Sequence, residues 1–384
     1  MKKPKIVIFM HWYLPGTKAG GPVRSVFSLV SLLKSYFDLY IITSNKDLGS
    51  AIAYKDVIPN KLFLKEEINY FYFNDAYLTV DNLLSTLSEI KPDLIYLNSF
   101  WSFPFSINII RLKNKKLITA PVLLAPRGML SKGALSLKSF KKNTYLISAK
   151  LFGWYKNVHF HATNKQEEQD IKACFSSAKI TVASNLNSGV IVKNISKKEP
   201  GVLKLFFLSR ISEVKNLHFA LEVLKNVPSN IQITYDIYGN LEDEAYWARC
   251  IEIIDQLPKN ITATYQNELS FNEVQSIISN YHALFLPTLN ENFGHSIVES
   301  LLSGCSAIIS DQTPWNDLEE RNAGFAIALN NKQGFVDAIN TLAKLNQQEF
   351  LQKSEAANSY ISSKIEVEKS INLYKNLFNG FIKN

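Results

Sequence analysis

The sequence predicts an α/β protein made of two doubly wound parallel sheets. Three observations carry that expectation. The chain has 384 residues, more than one hydrophobic core normally organises. Short apolar runs rich in β-branched and aromatic residues alternate with longer stretches of helical period, as strands covered by helices on both faces require. The alternation also restarts after one polar stretch near its middle. Hydrophobic residues at 46% and charged residues at 20% leave no segment starved of core-forming side chains, so the chain is expected to fold throughout.

The first half opens on Met1-Lys2-Lys3-Pro4-Lys5, which imitates the basic start of a secretory leader. The apolar run behind it stops at His11, too soon for a leader, and residues 5–10 read as a first buried strand. Further strand-like runs follow at 39–43, 69–73, 94–98, 122–125 and 158–161, with 180–183 closing the series. Residues 23–34, 80–90 and 137–152 carry helical period between them. The pattern resumes with strands at 203–208, 233–238, 261–265, 283–287, 307–310 and 325–328, and residues 370–382 again have helical character. The join is Asn194-Ile195-Ser196-Lys197-Lys198-Glu199-Pro200-Gly201, whose charges and Pro-Gly pair mark a linker. The expected domains are 1–196 and 197–365, with 366–384 a helix returning to the first.

Cys174, Cys250 and Cys305 are odd in number, far apart and without metal-ligand spacing, so a reducing cytoplasm is expected and neither a disulfide framework nor a zinc site. No uncharged stretch of about 18 apolar residues is present to span a bilayer. The net charge of +8 admits nucleic acid, an anionic membrane surface or a phosphate-bearing substrate. Between Asp93 and Glu167 there is no acidic residue, whereas Arg111, Lys141, Lys142, Lys150 and Lys156 fall inside that interval. No nucleic-acid-binding motif accompanies this field.

In open α/β sheets ligands bind outside the carboxyl ends of the strands, so the loops that follow strands are the places to seek chemistry. After the strand at 203–208 come Arg210 and Lys215, a planar donor fork and a point charge ahead of a helix, suited to one diphosphate. After 283–287 comes Asn290-Glu291-Asn292-Phe293-Gly294-His295-Ser296-Ile297-Val298-Glu299. A helix beginning near Gly294 places Glu299 on its second turn and leaves Glu291 in the loop. The amides of His295, Ser296 and Ile297 can then hold phosphate oxygens while the two carboxylates accept from sugar hydroxyls. In the first half, Gly16-Thr17-Lys18-Ala19-Gly20-Gly21-Pro22 links a strand to a helix, with Arg24 one turn in. It is not the dinucleotide fingerprint, and Asp38 is badly placed to serve one.

These stations together resemble glycosyltransferase family 4, retaining enzymes of the GT-B fold, in which two such sheets face each other across a cleft. The family's Glu-x7-Glu is matched by Glu291 and Glu299, its diphosphate-binding pair by Arg210 and Lys215, and its Gly-Gly loop by Gly20 and Gly21. Residues 303–311 resemble its small-residue turn and following strand.

The resemblance implies a nucleotide diphosphate sugar as donor. Glu299 would hold the ribose, Glu291 the sugar, Arg210 and Lys215 the leaving diphosphate, and the backbone of Phe293, Gly294, His295 and Ser296 the donor phosphates. Gly239 would line the same cleft, and the segment up to Leu269 would meet the base. Arg127 stands where many members carry a histidine and would face acceptor or phosphate, as would Arg24. His11, His159, His161 and His295 are open between cleft and structural roles.

The resemblance also implies transfer with retention, with no Asp-x-Asp to hold a metal and no cofactor. The expected acceptor is a glycan or lipid-pyrophosphate-linked sugar in surface-polysaccharide assembly. Basic and apolar residues of 137–152 suggest an anionic membrane surface, and the place expected for the enzyme is the cytoplasm or the inner face of its membrane. Two other functions share the architecture: a nucleotide-sugar 2-epimerase and a non-catalytic sugar-nucleotide-binding protein.

Overall fold

The structure, a computed structural model, describes residues 3–136, 139–186, 196–269 and 273–382. It divides the chain into two compact units, Met1–Ser188 with Val367–Asn384, and Gly189–Glu366.

The first unit runs β1 (Lys5–Phe9), α1 (Gly21–Leu33), β2 (Asp38–Ser44), β3 (Leu62–Lys65), β4 (Ile68–Phe73), α2 (Val80–Ile90), β5 (Leu94–Asn98), α3 (Asn108–Asn114), β6 (Val122–Ala125), α4 (Lys132–Ser136), α5 (Ser139–Leu151), β7 (His159–Ala162), α6 (Lys165–Cys174) and β8 (Lys179–Val182). Its sheet has the order β3-β4-β2-β1-β5-β6-β7-β8. Pairing is parallel except at β3, which meets β4 antiparallel with Lys65 opposite Ile68. The central strands are closed to water on both faces, with Ile6, Val7, Ile8 and Phe9 fully buried, because helices cover each side.

β3 is absent from the sequence expectation. Its hairpin turns through Glu66 and Glu67 at φ 51° and 67°, positions that a sequence normally announces with Asn or Gly. The helix expected over 137–152 is α5, Leu137 and Lys138 lie outside the described residues, and the short α4 ahead of it is an addition to the expectation.

The second unit runs β9 (Val202–Leu208), α7 (Leu217–Leu224), β10 (Gln232–Tyr238), α8 (Glu244–Ile254), β11 (Ile261–Tyr265), α9 (Val274–Ile278), β12 (Ala283–Leu286), α10 (His295–Leu302), β13 (Ser306–Ser310), β14 (Gly324–Ile327), α11 (Lys332–Lys344) and α12 (Gln347–Lys364). Its sheet, β11-β10-β9-β12-β13-β14, is parallel throughout. The order reverses beside β9, between β10 and β12, and such a switch point opens a crevice at the strands' carboxyl ends.

α13 (Val367–Ile382) packs in the first unit: the Phe378 ring lies 5.5 Å from Phe37 and 5.6 Å from Tyr96. Of the expected linker, Asn194 and Ile195 lie outside the described residues, and Lys198 is not a solvated charge. Its buried ammonium donates to the carbonyls of Glu199, Ala343 and Leu345 at 2.8, 2.9 and 3.0 Å, closing the end of α11. Burial lowers its pKa to about 8.

Candidate active site

The loops after β9, β10 and β12 are joined backbone to backbone. Past the strand ends, Ser209 N–H donates to Tyr238 O at 3.1 Å and Ile211 N–H to Asn240 O at 2.9 Å. This close approach demands Gly239. It has φ +149°, and a Cβ built there would lie 1.8 Å from Ser209 O.

A second set of bonds ties the β9 loop to the β12 loop. Leu289 N–H donates to Val214 O at 2.8 Å, the buried Thr288 hydroxyl lies 3.0 Å from the same carbonyl, and Asn216 Nδ2 donates to Pro287 O at 2.9 Å. The consequence is electrostatic: Lys215 Nζ and Glu291 Oε2 meet at 2.6 Å, with only 11% and 17% of the two side chains exposed. Arg210, on the same β9 loop, reaches the other way and pairs with Glu242 at 2.6 Å, both side chains more than a third exposed. An ion pair that wet contributes about 0–1 kcal/mol, so the guanidinium can exchange Glu242 for another anion at little cost.

Glu291 continues into the head of α10. Its backbone N–H donates to Gln312 O at 3.0 Å and its Oε1 accepts from Asn292 N–H at 3.2 Å. Gly294, at φ 77°, is the helix cap and provides no side chain to it. A Cβ there would sit 2.8 Å from Ile297 Cδ1 and 3.1 Å from Glu291 Cγ, so a larger residue would press on the carboxylate. The first bond within the helix runs from Val298 N–H to Gly294 O, which puts the Ser296 and Ile297 amides ahead of the ladder at its positive end. Phe293 is fixed by its carbonyl, which accepts from Trp315 Nε1 at 2.6 Å, and its ring meets His295 at 4.8 Å. His295 is buried, and Ser296 and Glu299 are half-buried, with Glu299 on the second turn of α10. Leu269 packs against the core of this unit.

In the first unit, Gly20 caps α1, Gly21 opens it and Arg24 is half-buried in its first turn. Asp47 holds the preceding loop by accepting from the N–H groups of Thr17 and Lys18 at 3.1 and 3.3 Å. Arg127 stands after β6, with its guanidinium turned into protein. It donates to Asn98 Oδ1 at 2.6 and 3.2 Å, to Tyr96 Oη at 3.0 Å and to Asn185 Oδ1. Beside it, Glu167 accepts from the Gly128 and Thr163 amides at 2.6 and 2.7 Å. Tyr96 passes the polarity on to His161, whose Nδ1 lies 2.7 Å from the phenol and whose Nε2 lies 2.7 Å from Ala183 O.

Those distances fix the tautomer of His161, because a carbonyl can only accept: Nε2 carries the proton and Nδ1 accepts from Tyr96. Burial, reinforced by the Arg127 charge, lowers the pKa of His161 to about 3. His11 is also lowered by burial and stacks on Trp12 at 4.2 Å.

The structure therefore brings Lys215, Glu291, Gly294 and the head of α10 together, and places Arg210 and Gly239 on adjoining loops. Gly20, Gly21, Arg24 and Arg127 belong to the other unit. Sequence reasoning missed Glu242, Trp315, Asp47, Asn98 and Glu167, each of which meets its partner only through tertiary folding. Among the described residues, no group of three or more His, Cys, Asp or Glu side chains is arranged to hold a metal ion, and no helix is long and apolar enough to cross a membrane.

Comparison with known proteins bears on the second unit through a family model and on nearly the whole chain through solved structures. Residues 191–360 match the family model of group 1 glycosyl transferases. The chain is 23% identical over 278 residues to the O-antigen chain mannosyltransferase RfbU of Salmonella typhimurium, covering 67% of this chain and 75% of that one. It superposes with a TM-score of 0.73 on the crystal structure of Anabaena Alr3699/HepE in complex with UDP and glucose, at 15% identity over 98% of this chain and 100% of that one. Sucrose-phosphate synthase from Thermosynechococcus elongatus gives 0.68 at 14% identity, over 98% and 100%. The fold is GT-B, and the chain is a transferase with a glycosyl-transfer function.

Proposed function

We propose that the chain moves a hexose-type sugar from a nucleotide diphosphate donor to a glycan or lipid-linked acceptor, with retention at the anomeric carbon. The observation that carries this reading is the 2.6 Å contact of Lys215 with Glu291 at the head of α10, beside the exchangeable Arg210. A cation, a carboxylate and a positive helix end in one place suit a ligand with both a diphosphate and hydroxyl groups. In this reading Arg210, Lys215 and the α10 amides neutralise the departing diphosphate without a metal. Glu291 orients the sugar and Glu299 the ribose. The UDP bound by the Anabaena protein supports a nucleotide donor for this chain too, and the likeness to an O-antigen mannosyltransferase supports a role in surface-polysaccharide assembly.

A place at an anionic membrane surface fits the same reading. α5 presents Phe140, Ile147 and Leu151 outward, 84%, 66% and 78% exposed, a ridge along one helix face with exposed Lys141 and Lys150 on its two sides. Lys142 turns inward instead, over the Trp101 ring.

A panel of nucleotide sugars screened by thermal shift, followed by acceptor-dependent nucleotide release, tests the proposal. A stabilising donor whose nucleotide is released only when acceptor is present supports transfer. A donor whose sugar is inverted at C2 makes the protein an epimerase, and one that is bound but never turned over makes it a binding protein.

A further inference from the structure

Within the first unit, the amino-terminal ends of β6, β7 and β8 face a groove of about 1120 Å³, at the opposite end of the strands from Gly20 and Arg127. Among the described residues its lining contains three lysines, one histidine and no acidic residue. Lys113 is already engaged, donating to Thr119 O and Ala120 O at 2.8 Å each, so it builds the wall. Lys116 and Lys179 are exposed at the rim. The far side is α13, where Leu373, Leu377 and Phe381 recur every four residues and therefore form one stripe. Leu373 is 39% exposed there, and Phe381 meets the edge of His159 at 5.0 Å.

We infer that this groove binds an anionic amphiphile, a phosphate head between Lys116 and Lys179 with an aliphatic chain along the α13 stripe. An apolar stripe alone would be satisfied by any oily surface, and lysines alone by any anion. Together, with no carboxylate in the lining to compensate the cations, they select a molecule with both parts. The inference goes beyond sugar transfer and does not depend on the second unit.

Gly380 supplies the test, because a Cβ built there meets nothing within 4 Å, so a Trp has room in the groove itself. Dodecyl phosphate, kept below its micellar concentration, is titrated calorimetrically into the full chain, with inorganic phosphate and dodecanol as comparators. One saturable site for dodecyl phosphate is expected, with each comparator at least about tenfold weaker. Lys179→Glu should weaken it about tenfold. Gly380→Trp should abolish it at unchanged melting temperature. Equal binding of phosphate alone or of dodecanol alone would overturn the inference, as would no binding. Loss through Phe140→Ser instead of Gly380→Trp would move the ligand to α5 and overturn it as well. UDP binding measured on the same samples separates any failure here from failure of the donor site.

Discussion

Lys215 and Glu291, 76 positions apart, are joined by a 2.6 Å ion pair that forms because the loops of β9 and β12 share backbone hydrogen bonds around Val214. Each charge is the other's main counter-charge in a nearly dry setting, so removing one strands its partner. Lys215→Ala should cost about 1–3 kcal/mol of stability and abolish measurable donor affinity. Glu291→Gln keeps an acceptor at the contact, so it should fold and bind nucleotide while turnover falls roughly 100-fold. Denaturation midpoints, calorimetry with UDP and single-turnover rates check the pair; wild-type turnover in Glu291→Gln would refute the role given to the carboxylate.

Arg210 is predicted to separate binding from stability. Its bridge to Glu242 is too exposed to matter to folding, and Arg210→Ala should shift stability by no more than about 1 kcal/mol. If the guanidinium leaves Glu242 for the diphosphate, the same change should weaken UDP at least tenfold. Glu242→Gln should do the reverse and tighten it slightly, a sign that a purely structural bridge does not give.

What the sequence made legible was whatever depends on period or on spacing along one loop. The strands at 94–98, 122–125 and 261–265 and the helix at 80–90 coincide with β5, β6, β11 and α2: β5 and β6 are short runs buried on both faces, β11 alternates inward and outward, and α2 repeats its buried Leu83, Leu87 and Ile90 at helical spacing. The placement of Glu291 before α10 and Glu299 on its second turn was legible for the same reason. β3 was not, since its turn is made by two glutamates, and neither was the inward orientation of Arg127. Nothing in Pro126-Arg127-Gly128 reveals that Asn98 and Asn185, from two other strand ends, will occupy its guanidinium.

His161 and His282 predict an acid-sensitive fold. His282 is held like His161: its Nδ1 accepts from Lys204 N–H at 2.9 Å and its Nε2 faces Lys197 O at 3.0 Å. Burial lowers their pKa values to about 3 and about 4, from an ordinary 6.5. Below pH 6.5 the unfolded chain therefore takes up protons that the folded chain refuses, and stability falls with falling pH. Each group should contribute a slope of about 1.4 kcal/mol per pH unit until its folded pKa is reached. Urea midpoints between pH 7 and pH 5 for His161→Gln and His282→Gln should show a flatter pH dependence than the parent. An unchanged slope in both would mean that the imidazoles are charged in the fold.

Gly239 and Gly133 predict opposite outcomes for one chemical change. Gly239→Ala drives a methyl into Ser209 O and parts the loops that carry Arg210, so a loss above about 2 kcal/mol and weaker donor binding should appear together. Gly133 lies in α4, where an added Cβ meets nothing within 4 Å, and Gly133→Ala should be neutral or stabilise by up to about 1 kcal/mol. Paired melting curves decide it; a tolerated Gly239→Ala would remove the steric account of that loop.

The α5 ridge predicts membrane binding with two separable contributions. Phe140, Ile147 and Leu151 point away from the buried Leu146 and Ala149 of the same helix, so they contribute nothing to the core that packing could explain. Burying such side chains in a bilayer interface is favourable by roughly 1.5–3 kcal/mol each, and nearby lysines add about 1 kcal/mol apiece on an anionic surface. Flotation with phosphatidylglycerol-rich vesicles should therefore recover the protein at low salt, and 0.5 M NaCl, at the short Debye length it imposes of about 4 Å, should lower that recovery by screening the lysines while leaving the apolar part. Phe140→Ser with Leu151→Ser should lower recovery on anionic vesicles without changing the melting temperature, while Lys141→Gln with Lys150→Gln should abolish the salt dependence. Equal recovery on neutral vesicles would leave the ridge as an oily patch without electrostatic selection, and no recovery on either would end the membrane reading while leaving the donor site in the second unit untouched.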